Sequence, residues 1–144
     1  MIVLDTTVLL YSLGGDHPLA GPSKRLLESL PSGRLQATTT VEVIQEFVHV
    51  RIRRRSRTEA ADRAREYVTL LSPLRTVDEA DLQRALELFV QHPRLGAFDA
   101  LLAAAALGAG AEALVSADRD FRAVKELRFV ELGSPELDEL IAAS

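Results

Sequence analysis

The stretch Met1-Ile2-Val3-Leu4-Asp5-Thr6-Thr7-Val8-Leu9-Leu10-Tyr11 decides how the rest of the chain is read. Its first four residues form an unbroken apolar run with two β-branched side chains, the pattern of a strand buried on both faces. The run stops at Asp5. After Thr6-Thr7 a second apolar run, Val8 to Tyr11, has helical spacing. In an open α/β sheet, ligands bind in the crevice outside the carboxyl ends of the strands, and Asp5 falls at that edge. On its own Asp5 reads more simply as a helix cap, so its meaning depends on which other acids arrive beside it.

Further along, Gly14-Gly15-Asp16-His17-Pro18 breaks the chain, with His17 a solvated turn residue. A helix is expected over Ala20 to Leu30, ended by Pro31-Ser32-Gly33, and a short strand over Leu35 to Thr38. Thr39 or Thr40 then caps a helix from Val41 to about Arg55. On a wheel its wide apolar arc holds Val41, Val43, Ile44, Phe47, Val48, Val50 and Ile52, while Glu42, Gln45, Glu46 and His49 share a polar stripe. Glu46 lies at the arc's edge, where a carboxylate can point into a cleft; Glu42 is expected to face water. Further helices are expected over Thr58 to Leu71 and Glu79 to Val90, with a candidate strand at Leu74-Arg75-Thr76-Val77 between them and His92 at a helix end. Ala97 to Leu107 is apolar all round, an internal helix carrying one charge, Asp99, in its first turn. There the bland role is again a cap, favoured by the helix dipole. Ala113-Leu114-Val115 is a fully apolar strand running into Ser116-Ala117-Asp118-Arg119-Asp120. Phe129 to Leu132 is the last expected strand, and a short acidic helix follows from Ser134.

The chain has 144 residues, 47% of them apolar and 26% charged, which suits one domain (residues 1–144) with a substantial core. It has no cysteine, so disulfides and thiolate chemistry are excluded. No run reaches the length of a membrane span, and the N-terminus lacks a basic region before its apolar run; a cytoplasmic protein with no membrane partner is expected. The net charge is −4, but five of the 17 basic residues fall between Arg51 and Arg57, leaving 12 basic against 21 acidic residues elsewhere. Such a strip on an acidic body suits phosphate contacts or an acidic partner. With no tryptophan, and seven residues that are Phe or Tyr, aromatic stacking is not the main means of recognition.

Alternating strands and helices predict a parallel sheet with right-handed crossovers, so Asp5 and Asp118 leave the same sheet edge. Glu46 and Asp99 are delivered by helices that start or flank there. Like charges about 4 Å apart repel by roughly 4 kcal/mol even in a moderately polar site. A divalent cation relieves that cost, and an all-oxygen donor set selects magnesium or manganese. Such a site activates water for in-line displacement at phosphorus. The residues therefore read as a metal-dependent phosphodiesterase.

Asp-Thr-Thr-Val-Leu-Leu-Tyr at 5–11, Val-Ile-Gln-Glu-Phe at 43–47, Phe-Asp-Ala-Leu-Leu-Ala-Ala-Ala at 98–105 and Ser-Ala-Asp-Arg-Asp-Phe at 116–121 together resemble the PIN-domain ribonucleases, and among them the VapC toxins of bacterial toxin–antitoxin pairs. The resemblance spans essentially the whole chain. It implies a three-layer α/β/α fold around a five-stranded parallel sheet, magnesium-dependent cleavage of RNA with manganese as an alternative, homodimers, and inhibition by a VapB-like antitoxin. Asp5, Glu46, Asp99 and Asp118 match the family's acidic quartet. Asp5 and Asp99 are then the most direct metal ligands, and Glu46 and Asp118 act through water, a second ion or the attacking water. Asp120 stays an alternative fourth acid. Thr6 and Ser116 resemble hydroxyls that orient the carboxylates, and Arg51, Arg53, Arg54 and Arg55 are candidates for RNA contact. Two other classes fit parts of the pattern. One is a catalytically silent domain that binds RNA or protein, which would have no reason to keep four mutually repelling acids. The other is a phosphoacceptor domain, which needs a middle-strand Asp and a late lysine in a pattern that Lys125 does not complete.

Overall fold

The computed structural model describes residues 1–144. Four parallel strands form one sheet in the order β2-β1-β3-β4: β1 (Ile2–Leu4), β2 (Ala37–Thr38), β3 (Ala113–Ser116) and β4 (Phe129–Glu131). β1 and β3 are central and buried on both faces, as their apolar runs require. From β1 the chain first adds β2 on one side and later β3 on the other. The boundary between β1 and β3 is therefore the switch point at which crossovers diverge and a crevice opens.

Helix α1 (Thr6–Ser12) packs against both α2 (Ala20–Ser29) and α3 (Val41–Arg51), α3 packs against α4 (Arg57–Leu71), and α5 (Glu79–Gln91) packs along α6 (Ala97–Gly108). With the sheet between these groups, the architecture is α/β/α. The C-terminal α7 (Pro135–Ala142) packs on β4. Ala103, Ala104, Ala105 and Ala106 on α6 are wholly buried, and their small side chains let this helix lie close to β3. A buried polar link joins α1 to α4: the Tyr67 hydroxyl lies 2.6 Å from Ser12 Oγ and donates to the Leu9 carbonyl at 3.0 Å.

Two sequence expectations change. The sheet has four strands, not five: Leu74 to Val77 contributes only a bridge between Arg75 and Thr40, closed by Arg75 N–H donating to the Thr39 carbonyl at 2.8 Å. β2 is two residues long and Thr40 is already capping α3, so little edge remains for a fifth strand to pair with. In addition, α3 ends at Arg51 and not near Arg55. Ser56 Oγ accepts the Glu59 amide to cap α4, and the chain must leave α3 and turn before it. Arg53, Arg54 and Arg55 therefore lie in a turn with their side chains exposed, while Arg51 ends α3 half-buried and Arg57 opens α4.

Close packing around α6 predicts that Ala104→Leu over-fills the interior and destabilises the fold by about 1–3 kcal/mol. Urea unfolding of the variant against wild type measures this.

Candidate active site

Asp5 occupies the N-cap position of α1 in extended conformation, yet its carboxylate makes no capping bond. It is instead held sideways against β3. Ser116 Oγ donates to Asp5 Oδ2 at 2.6 Å and Thr7 Oγ1 donates to the same oxygen at 2.9 Å. Both hydroxyls are aimed by backbone amides: Asp118 N–H donates to Ser116 Oγ at 2.9 Å, and Ala117 N–H donates to Thr7 Oγ1 at 3.0 Å. Since each oxygen accepts an amide proton, its own proton is free for Asp5. Ser116 thus acts as the sequence suggests. Thr7 is a missed member of the set; its place one helical step beyond Thr6 was the available signal. Thr6 serves a different acid, donating to Glu46 Oε2 at 2.6 Å and tying α1 to α3.

Asp99 projects from the first turn of α6 and feels the other acids directly. Its carboxyl is pushed up to about 8, first by burial, then by the negative charges of Asp5 and Asp118, by a contact with the Asp118 carboxyl, and by Glu46. This convergence of Asp5, Glu46, Asp99 and Asp118 is what the sequence predicts. Burial also raises Asp5, against the opposing pull of the Ser116 and Thr7 bonds. Asp118 partly fulfils its bland role as well, since its Oδ1 accepts the Asp120 amide at 2.9 Å. Asp120 turns elsewhere, toward Arg94 Nε at 3.7 Å, beside His92 and Arg119.

Glu42 departs from expectation. It is half-buried and lines the same small cleft as Asp5, Thr40, Glu46, Phe98 and Asp99, and its Oε2 is buried without a hydrogen-bond partner. The spacing from Glu46 places both on one helical face; what the wheel lacks is the first turn of α6, with Phe98 and Asp99, lying over that face. The cleft has room for only about 10 Å³, roughly one water-sized sphere, and no Lys or Arg lines it. Carboxylate oxygens without a cation, one of them orphaned in the interior, fit a hard divalent ion. As the side chains lie, no three of the acids are close enough to grip one ion, so binding would draw them together. Of the arginines, Arg51 is engaged by Glu59 through two bonds of 3.0 and 2.7 Å, while Arg53, Arg54 and Arg55 are exposed.

Parallel strands, a switch-point crevice and an acidic cluster in it define a nuclease-like α/β fold, and the PIN domain model matches residues 2–127. Ribonuclease VapC7 of Mycobacterium tuberculosis is 53% identical over 124 residues, covering 84% of each chain. Among solved structures, VapBC2 from Rickettsia felis, bound to a DNA fragment from its promoter, superposes with a TM-score of 0.73 at 17% identity, covering 91% of this chain and 98% of that one. VapBC-1 from nontypeable Haemophilus influenzae gives 0.71 at 14%, covering 93% and 100%. The chain belongs to the PIN domain family, and within it to the VapC group.

A pH dependence follows from Asp99. Because its folded pKa is raised far above 3.8, the folded protein keeps a proton that the unfolded chain releases. The associated stability is full below about pH 4 and is lost as pH rises toward 8. Thermal midpoints in chelator should fall across that window for wild type and fall less for Asp99→Asn.

Proposed function

We propose that this chain is a divalent-cation-dependent ribonuclease, the toxin of a VapBC-type pair, that hydrolyses RNA phosphodiester bonds at the Asp5–Asp99 cleft and is inhibited by a VapB-like antitoxin. The observation that carries the reading is the gathering of Asp5, Glu46 and Asp99 in a cleft without a basic side chain, with Asp118 close enough to add its charge to Asp99. The named activity of VapC7 and the two-component assemblies named for the solved relatives support it.

Bound magnesium or manganese would supply a Lewis acid for the phosphate and a more acidic water. Asp5, Asp99 and Asp118 are the residues to hold the ion, with Glu46 and Glu42 available through water. Ser116 and Thr7 keep Asp5 oriented. Glu46, fixed by Thr6, is the group positioned to take a proton from the attacking water. The cleft has room for little more than one ion-sized sphere, so the RNA strand lies across its mouth and presents one phosphate to it.

A homodimer is part of the proposal. Leu82, Leu86, Phe89 and Val90 form an exposed apolar face on α5, with Val90 79% exposed, and Phe98 beside the cleft is 76% exposed. A face of this kind suits burial against a second copy.

Cleavage of labelled RNA should require magnesium or manganese, and Asp5→Asn or Asp99→Asn should lower kcat at least 100-fold while circular dichroism stays unchanged. Cleavage that persists in chelator would refute the metal site; absence of cleavage by wild type, with RNA binding retained, would favour a silent binding domain. Separately, Leu86→Lys with Val90→Asp should shift the protein from dimer to monomer in sedimentation velocity.

A further inference from the structure

Beyond the acidic cleft, the chain holds a second cavity, of about 500 Å³, between the turn after α1 and the turn after α3. Its lining combines Leu10, Tyr11 and His17 with Arg53, Arg54 and Arg55. Tyr11 and His17 are stacked, with ring centroids 4.3 Å apart and planes 27° from parallel. His17 Nδ1 accepts the Leu19 amide at 3.1 Å, which fixes the ring and leaves Nε2 to carry the proton of the neutral form. Arg51, at the cavity wall, is committed to Glu59. Arg53 and Arg54 form no salt bridge, and Arg55 acts on Glu59 only at longer range. Asp16 is the sole acid on the lining.

The cavity lies in register with the cleft. Thr6 on α1 meets Glu46 on α3, and four residues further along each helix Leu10 and Val50 both line the cavity. The helices thus run side by side in one direction, and the cavity begins about 6 Å beyond the Thr6–Glu46 contact. A strand with one phosphate at the cleft mouth would carry its next nucleotides along this seam.

We propose that this cavity is a nucleotide subsite for single-stranded RNA, with a base stacked on the Tyr11–His17 pair and its flanking phosphates held by Arg53 and Arg54. The inference rests on the ribonuclease reading and adds where the strand is held. A flat π-surface beside unpaired guanidinium groups is the combination that binds single strands with little sequence preference. Its volume lies within the range of small-molecule clefts. The chain's scarcity of aromatic residues makes this stack a local anchor on one face of the molecule.

The two halves of the subsite leave different signatures in fluorescence anisotropy with a short fluorescein-labelled single-stranded RNA, measured in the Asp99→Asn background with magnesium. His17→Ala should weaken binding by about fivefold or more with the salt slope unchanged, because a stacked base contributes no counterion release. Arg53→Gln with Arg54→Gln should weaken binding and flatten the slope of log affinity against log salt by about 1.4, at roughly 0.7 per lost phosphate contact. All three residues are exposed, so thermal midpoints should stay near the parent's. Unchanged affinity and slope in both variants would overturn the subsite. So would intact RNA binding with loss of cognate antitoxin binding, which would give the surface to a protein partner. Metal-dependent cleavage by the wild-type chain is scored separately: if it occurs while these variants bind normally, the subsite fails and the ribonuclease reading stands, and if it is absent the activity reading itself fails.

Discussion

Everything in this molecule is arranged around a repulsion. The fold gathers carboxylates from the end of β1, the loop after β3, the face of α3 and the first turn of α6 into one crevice. The gathering opposes stability in the absence of a cation, since like charges in a partly buried site repel more strongly than in water. It is tolerated because the scaffold that imposes it is bound by other means: central strands buried on both faces, a close-packed alanine helix, and hydroxyls that anchor individual carboxylate oxygens. Burial first, and the neighbouring negative charges after it, raise the pKa of Asp99, and holding a proton there is the folded chain's own partial remedy.

The anchoring of Asp5 shows how little machinery is required. Two hydroxyl side chains, each polarised by a backbone amide from the β3 exit, converge on one carboxylate oxygen. Because β1 and β3 are adjacent and in register from Ile2–Ala113 to Leu4–Val115, the residues just past their ends meet without any long loop. Position follows from ladder geometry, and the hydroxyls need only finish the orientation.

Much of this was legible in the sequence, for reasons that mark where the rest was not. The β1 and β3 runs are apolar throughout, and each is followed by acid, so strand, exit and site could be read together. Glu46 was legible because it sits at the edge of an apolar arc. Glu42 was not: a helical wheel shows which residues share a face but not what lies over it, and here Phe98 and Asp99 of α6 do. Thr7 was hidden for a similar reason, since its role depends on the amide of Ala117, far away in sequence. The fifth strand was over-read because Leu74 to Val77 has strand-like residues, whereas pairing also needs an edge, which the two-residue β2 barely provides. The helix was extended to about Arg55 before its turn because nothing in the arginines breaks one; the chain turns already after Arg51, ahead of the cap at Ser56 that belongs to the next helix.

The central position of β1 has a consequence for how the chain acquires its shape. Ile2 to Leu4 are made well before β3, yet one of the two ladders that bury them is with Ala113 to Val115, far along the sequence. Contacts of such long sequence separation form late, because closing the intervening loop costs entropy before the pairing rewards it. Until the chain has been made beyond Ser116, Asp5 lacks the serine that holds it and faces no Asp118. The crevice is therefore completed only once β3 and the residues after it have been made, and a chain that stops short of them has the first strand without the site.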